Sequence, residues 1–383
     1  MPLLSLESVH LPPECEALRA EVREFLAGEQ ARGSFTPRCD AWLTSSDPAF
    51  SRKVGQRGWL GMTWPKRYGG HERSALERFV VTEEILAAGA PVAAHWFADR
   101  QIGPCLLRYG TEPQKERLLP PIARGECFFA IGMSEPGTGS DLASVRAKAE
   151  RAGGGWKLTG TKLWSSGAHA SHYMSVLCRT EPVKEERHAG LSQLVVDLAS
   201  PGVTIRPVRQ LGGEHHFNEV VFDEVFVPDE MVLGKPGEGW RQVTSELAYE
   251  RSGPERFLST LPLFIELLRR AGPEPDERTA VAIGQIAARM WTLRAMSLAV
   301  AGALNRGETP DVEAALVKDL GTRFESEIAE TVRLLVDATP ETDSGDRLEA
   351  FLAQSILHAP GFTLRGGTNE ILRGVVARGL GLR

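Results

Sequence analysis

The chain has few cysteines, no long apolar run and no excess of positive charge. Five cysteines stand at positions 15, 39, 105, 127 and 178, an odd number with no C-x-x-C pair. Reduced thiols of a cytoplasmic protein explain that pattern best. Met1 to Glu7 lack the basic and apolar regions of a secretory leader, so none is expected. No apolar stretch is long enough to span a bilayer. A net charge of −6 over 383 residues points to neither nucleic acid nor an anionic membrane surface. The histidine pairs His169/His172 and His215/His216 have no Cys, Asp or Glu at ligand spacing, so no metal is expected.

What is present falls into three textures. Leu18, Val22, Phe25 and Leu26 recur at helical spacing, and Phe79–Ala88 and Gln114–Ala123 predict further helices. From about Cys127 to Gly234 the chain turns to short β-prone stretches: Trp156–Leu158, Met174–Cys178, Leu194–Val196, Val203–Ile205 and Val220–Val227. Glycine and proline separate them, as expected of an antiparallel β domain. Helical periodicity then returns over Ala280–Leu304, Asp311–Asp337 and Arg347–His358, which with the segment from Trp240 predict a four-helix bundle. The expectation is an α+β chain with an N-terminal helical domain (1–127), a middle antiparallel β domain (128–234) and a C-terminal helical bundle (235–383).

Two familiar motifs fail on inspection. Gly132-Met133-Ser134-Glu135-Pro136 begins like a nucleophile elbow, but proline replaces its last glycine. Gly137-Thr138-Gly139 lacks the third glycine of a dinucleotide fingerprint. What remains is a polar, glycine-rich turn from Ser134 to Asp141. Its backbone N–H groups and hydroxyls suit a ligand as well as an ordinary interdomain loop.

The stretch Ile131 to Asp141, IGMSEPGTGSD, closely resembles the signature of the acyl-CoA dehydrogenase family. Gly160 to Ala168, GTKLWSSGA, resembles a second family stretch. So do Gly58 to Gly70, Gly110 to Glu126, and Gly366-Gly367-Thr368-Asn369-Glu370-Ile371. The resemblance spans nearly the whole chain and implies α,β-dehydrogenation of an acyl thioester with bound flavin adenine dinucleotide (FAD). It implies that Ile131, Met133 and Ser134 line the flavin and that Trp164 and Ser166 contact its ring. Thr368 and Glu370 would lie near its nucleotide portion. Ser140 would touch the pantetheine, with Tyr249, Arg251, Gly366 and Gly367 near the acyl group. A flat apolar ring favours an aromatic neighbour, and its polar edge favours hydroxyl and backbone donors.

Two departures bear on assembly and on the base. The family's Arg-x-x-Phe-Gly, which reaches a neighbouring subunit's flavin, has no match in Pro273 to Ala280, where Arg278 is a weak substitute. The usual Gln-x-x-Gly-Gly is also missing, with Gln354-Ser355-Ile356-Leu357-His358 in that region. The resemblance therefore implies an oligomer, dimeric or tetrameric, homomeric or mixed with a related chain. Many relatives carry the catalytic glutamate where Gly366 stands. A minority, acting on branched, long or steroid-linked acyl groups, carry it on the first C-terminal helix, and Leu247-Ala248-Tyr249-Glu250-Arg251 matches them. Glu250 is then the expected base. By itself, Glu250-Arg251 equally suits a surface ion pair. Ser252 to Glu255 predicts a helix cap with its glutamate reaching back, ending the preceding helix just after Arg251.

The resemblance places a substrate-binding backbone N–H at Gly366, and the absent side chain predicts room for an α-branched or bulky acyl group. Electrons would pass to an electron-transfer flavoprotein. The alternatives are a non-catalytic or half-site subunit of a mixed oligomer, or an acyl-CoA oxidase or flavin monooxygenase of the same fold.

Overall fold

The computed structural model describes residues 4–182, 185–250 and 252–382, with side chains left undescribed at 246–250. Contacts divide the chain into two compact units. One takes Met1–Ser45, Arg73–Pro91 and Glu250–Arg383; the other takes Ser46–Glu72 and Val92–Tyr249.

The second unit contains an eight-stranded sheet. Its strands are β1 (Phe129–Gly132), β2 (Lys148–Ala152), β3 (Gly155–Lys162), β4 (Tyr173–Arg179), β5 (Leu191–Asp197), β6 (Val203–Arg209), β7 (His215–Pro228) and β8 (Val232–Leu233). The order is β6-β7-β3-β2-β4-β5-β8, with β1 on β4. The five stretches expected from β-propensity lie inside β3 to β7. β1 was not expected: it is four residues long and pairs parallel to β4, so no hairpin turn announces it. One register shift between β3 and β7 falls beside Glu224, whose φ is +49°, and leaves the alternation along β3 unbroken. Leu158, Met174, Val176, Leu194, Val220 and Val225 are fully buried in the sheet core. Two helices of this unit, Gly103–Tyr109 and Glu112–Ala123, add Leu106, Leu118, Leu119 and Ile122 to the same core.

The first unit is helical. Pro13–Ala31 packs on Ala75–Ala87, and Asp311–Leu335 packs on Glu277–Asn305, Arg347–Phe362 and Asn369–Gly379. Ser74 caps Ala75–Ala87 with a complete capping box, its hydroxyl accepting from Glu77 N while the Glu77 carboxylate accepts from Ser74 N. The similar box expected at Ser252 does not form. The next element is a short 3₁₀ turn, Pro254–Arg256, preceded by Gly253 with no side-chain cap. Glu255 is buried, its Oε1 3.9 Å from the Arg256 guanidinium. Arg278 donates to the Leu334 carbonyl at the end of Asp311–Leu335, where the helix dipole favours a cation. No described helix is long and apolar enough to cross a membrane.

Candidate active site

The glycine-rich turn of the sheet unit is built on a buried ion pair. Along β3, Trp156, Leu158 and Lys162 share the inward parity, which places a lysine in an apolar layer. Lys162 is fully buried, and its ammonium donates to Glu135 Oε1 at 2.8 Å and to the Met133 carbonyl at 3.0 Å. The Glu135 carboxylate also accepts from Arg146 N at 2.7 Å and Ala147 N at 2.9 Å. Burial holds the Lys162 pKa below its ordinary value, and the nearby Glu135 charge opposes that shift. The turn closes on itself through Glu135 N to Thr138 O (2.8 Å) and Thr138 N to Glu135 O (3.0 Å), and Leu163 N donates to Ser134 O at 2.9 Å. These bonds hold Met133 and Ser134 partly exposed and Ser140 exposed on one loop, next to Ile131, which is partly exposed in β1. Neither Glu135 nor Lys162 was singled out from sequence, although a lysine at an inward strand position was a usable signal.

Just past β3, Trp164 has φ = +63°, unusual for a bulky residue, and remains 53% exposed. Its ring meets Phe217 edge-on at 5.6 Å. Ser165 turns inward, fully buried, and its hydroxyl has no hydrogen-bond partner among the described residues. Cβ atoms added at Gly137, Gly139 and Gly167 would meet open space. An exposed aromatic face, an unused buried hydroxyl and unfilled space at the glycines fit a flat ligand with a polar edge. The residues present therefore fit a flavin.

The helical unit holds the other expected residues. Thr368 caps Asn369–Gly379, its hydroxyl accepting from Ile371 N at 3.4 Å. Glu370 lies in the first turn, where backbone N–H groups lower its pKa. The preceding loop is held by Lys318, fully buried, whose ammonium donates to Gly367 O (2.7 Å), Asn369 Oδ1 (2.8 Å) and Thr363 O (3.3 Å). Gly366 and Gly367 have φ of +68° and +86°, the left-handed region.

The room expected beside Gly366 is taken. A Cβ placed there would come 2.9 Å from a guanidinium nitrogen of Arg256, which is fully buried. Arg256 lies over the Trp42 ring at 5.3 Å, as does Arg365 at 4.6 Å. Arg365 binds Asp40 Oδ2 at 2.7 Å and Ser259 Oγ at 3.2 Å. Glu325, fully buried in this cluster, has its carboxyl pushed up to about 7 by burial. The missing side chain at 366 thus accommodates an arginine that sequence reading overlooked. Gly366→Ala should destabilise the protein by about 1–3 kcal/mol, combining left-handed strain with displacement of the guanidinium. A urea midpoint indistinguishable from wild type would show that Arg256 yields freely.

Glu250 is the last residue of the helix Gly239–Glu250. The side chains of Tyr249 and Glu250, and all of Arg251, lie outside the described residues.

The comparisons agree with this picture. The family description "Acyl-CoA dehydrogenase, N-terminal domain" matches residues 12–126, the middle domain 130–225 and the C-terminal domain 275–381. The chain is 36% identical over 397 residues to Acyl-CoA dehydrogenase IpdE1 of Mycobacterium tuberculosis, covering 96% of this chain and 98% of that one. It is 36% identical over 336 residues to Acyl-CoA dehydrogenase FadE34 of the same organism, covering 85% of this chain but only 45% of that longer protein. Among solved structures, the Tcur3481-Tcur3483 steroid ACAD superposes with a TM-score of 0.86 at 28% identity, covering 99% of both chains. The ChsE4-ChsE5 complex from Mycobacterium tuberculosis superposes with a TM-score of 0.84 at 28% identity, covering 98% of this chain and 100% of that one. With whole-length similarity to IpdE1, three matching domains in order and the same three-part architecture, the chain belongs to the acyl-CoA dehydrogenase family of oxidoreductases.

Proposed function

We propose that this chain carries out FAD-dependent α,β-dehydrogenation of a bulky acyl-CoA, with Glu250 as the base. The observation that carries the cofactor reading is the Trp164 segment, a strained turn presenting an aromatic face beside an unpartnered buried hydroxyl. When bound, the flavin would supply the acceptor for the β-hydride, with an electron-transfer flavoprotein as the onward acceptor of the electron pair. Ile131, Met133, Ser134, Trp164 and Ser166 would hold its ring system, and Thr368 and Glu370 its nucleotide portion. Ser140 would meet the pantetheine, and Tyr249, Arg251 and Gly367 the acyl group. The Gly366 N–H would donate to the thioester carbonyl, acidifying the α-proton. Glu250 accepts that proton. A carboxylate in a last helical turn faces the negative dipole end, which favours the protonated form and so strengthens it as a base. The bulky substrate class follows the steroid ACAD similarity and the position of Glu250, not space at Gly366. Anaerobic mixing with a panel of acyl-CoAs tests the activity: bleaching of the flavin supports it, and none with any acyl-CoA sinks it. Hydrogen peroxide production in air would favour an oxidase over transfer to an electron-transfer flavoprotein.

The chain is proposed to work in a mixed oligomer with a related chain, as the ChsE4-ChsE5 similarity suggests. Arg278 is engaged at Leu334, and no Arg-x-x-Phe-Gly is present to reach a neighbour's flavin. The helix Glu277–Asn305 supports the oligomer. It is apolar around much of its girth, yet Val281 is 53% and Trp291 76% exposed, as expected of a helix covered by another subunit. Expressed alone, this chain should purify nearly colourless. Co-expressed with the related chain, it should hold one FAD per pair of chains. A homotetramer with one tightly held FAD per chain would refute the mixed assembly. Protein that takes up no flavin in either form would refute the cofactor.

A further inference from the structure

Trp164 sits at φ = +63°, a left-handed conformation that is costly for a bulky L-residue and persists only where the surroundings over-determine it. The surroundings are three successive residues of β7, His216 to Asn218, with Phe217 against the Trp164 ring. Ser165 N donates to the Asn218 carbonyl at 3.0 Å, and the Asn218 side-chain amide donates back to the Ser165 carbonyl at 2.9 Å. One turn further, Gly167 N donates to the His216 carbonyl at 2.7 Å. Asn218 thus holds Ser165, the residue after Trp164, by both its N–H and its carbonyl, and it is fully buried.

The orientation of that amide is itself determined. Its Oδ1 lies 2.8 Å from His215 Nε2, and its Nδ2 lies 3.2 Å from His169 Nδ1. Its Nδ2 also donates to the Ser165 and His216 carbonyls, which can only accept, so the amide orientation is fixed, His215 answers with a proton on Nε2 and His169 with a lone pair at Nδ1. Flipping the amide would set its oxygen against both the Ser165 carbonyl and that lone pair. The two imidazoles, 4.2 Å apart by ring centroid, then close both ends of an amide whose orientation those carbonyls fix.

We propose that Asn218, braced by His215 and His169, is a positioning residue that holds Trp164 and Ser166 ready for the flavin ring. The strain is spent on keeping an aromatic ring half exposed, which a purely structural turn would not need. This inference rests on the flavin reading of Trp164 and Ser166.

Asn218→Asp changes one NH₂ to O and removes both side-chain donors. In the assembled protein, amide hydrogen exchange across residues 164–167 should quicken by about tenfold or more, while β4 and β5 stay protected. FAD retention in the same samples should weaken by a similar factor, with a shifted visible spectrum. His215→Gln keeps a donor toward Oδ1 and should behave as wild type, whereas His215→Leu leaves the buried Oδ1 without a donor and should quicken exchange toward that of Asn218→Asp. Unchanged exchange in Asn218→Asp, in protein with a wild-type melting curve, overturns the proposal. So does faster exchange with unchanged flavin retention, and so does a His215→Leu that matches His215→Gln. A wild type that takes no flavin overturns the cofactor reading instead, and the exchange rates still decide whether Asn218 holds the turn.

Discussion

Glu250→Gln, loaded with flavin and mixed anaerobically with an acyl-CoA that bleaches the wild type, should stay yellow on the turnover timescale. Removing the α-proton of a thioester requires a base placed against it, and a general base is worth at least about a hundredfold. Glutamine keeps the size and much of the hydrogen bonding of the carboxylate but cannot accept that proton. The loss should therefore fall on kcat, with acyl-CoA affinity and flavin content little changed. The control is Gly366→Glu, which places a carboxylate where many relatives carry theirs. Arg256 occupies the approach to that position, and the left-handed backbone resists a side chain, so the double variant should recover little activity. Reduction of the Glu250→Gln flavin at near wild-type rate would assign the base elsewhere.

Glu135→Ala should destabilise the protein by about 3–5 kcal/mol, because it leaves a fully buried lysine without its carboxylate. Two backbone donors, Arg146 N and Ala147 N, lose their acceptor as well. The sign of the pH dependence follows from Lys162. Burial depresses its pKa below the ordinary 10.5, so the unfolded chain binds its proton more tightly than the folded one. Without Glu135 the depression deepens, and the stability deficit should shrink as pH rises toward 10.5. Glu135→Leu combined with Lys162→Met removes both charges and should recover most of the loss. Urea unfolding at pH 7 and 9.5 measures both effects. A single variant within about 1 kcal/mol of wild type would mean that Lys162 finds other compensation.

The helices and strands were legible wherever a periodic apolar pattern ran for several residues. Ala280–Leu304 and Arg347–His358 lie inside observed helices, and the five β stretches lie inside strands. Short or capped features were less legible. β1, β2 and β8 were missed because a few residues carry no decisive alternation. The cap at Ser252 failed because the chain enters a 3₁₀ turn capped by Gly253, with Glu255 buried beside Arg256, and neither the turn type nor the burial is written in the local sequence.

The candidate site divides in the same way. Local sequence determined the glycine-rich turn, the Trp164 segment, the Thr368 cap and the family resemblance, because each is a run of adjacent residues whose order is the signal. The tertiary structure decided what stands behind them. Lys162 reaches Glu135 across 27 positions, Asn218 reaches Ser165 across 53, and Lys318 reaches Gly367 across 49. Arg256 fills the space beside Gly366, a packing relation that no local pattern encodes. A charge or amide becomes a structural support only when folding removes water from around it. Burial depends on every element packed nearby, so it is settled by the whole fold rather than by any stretch of chain.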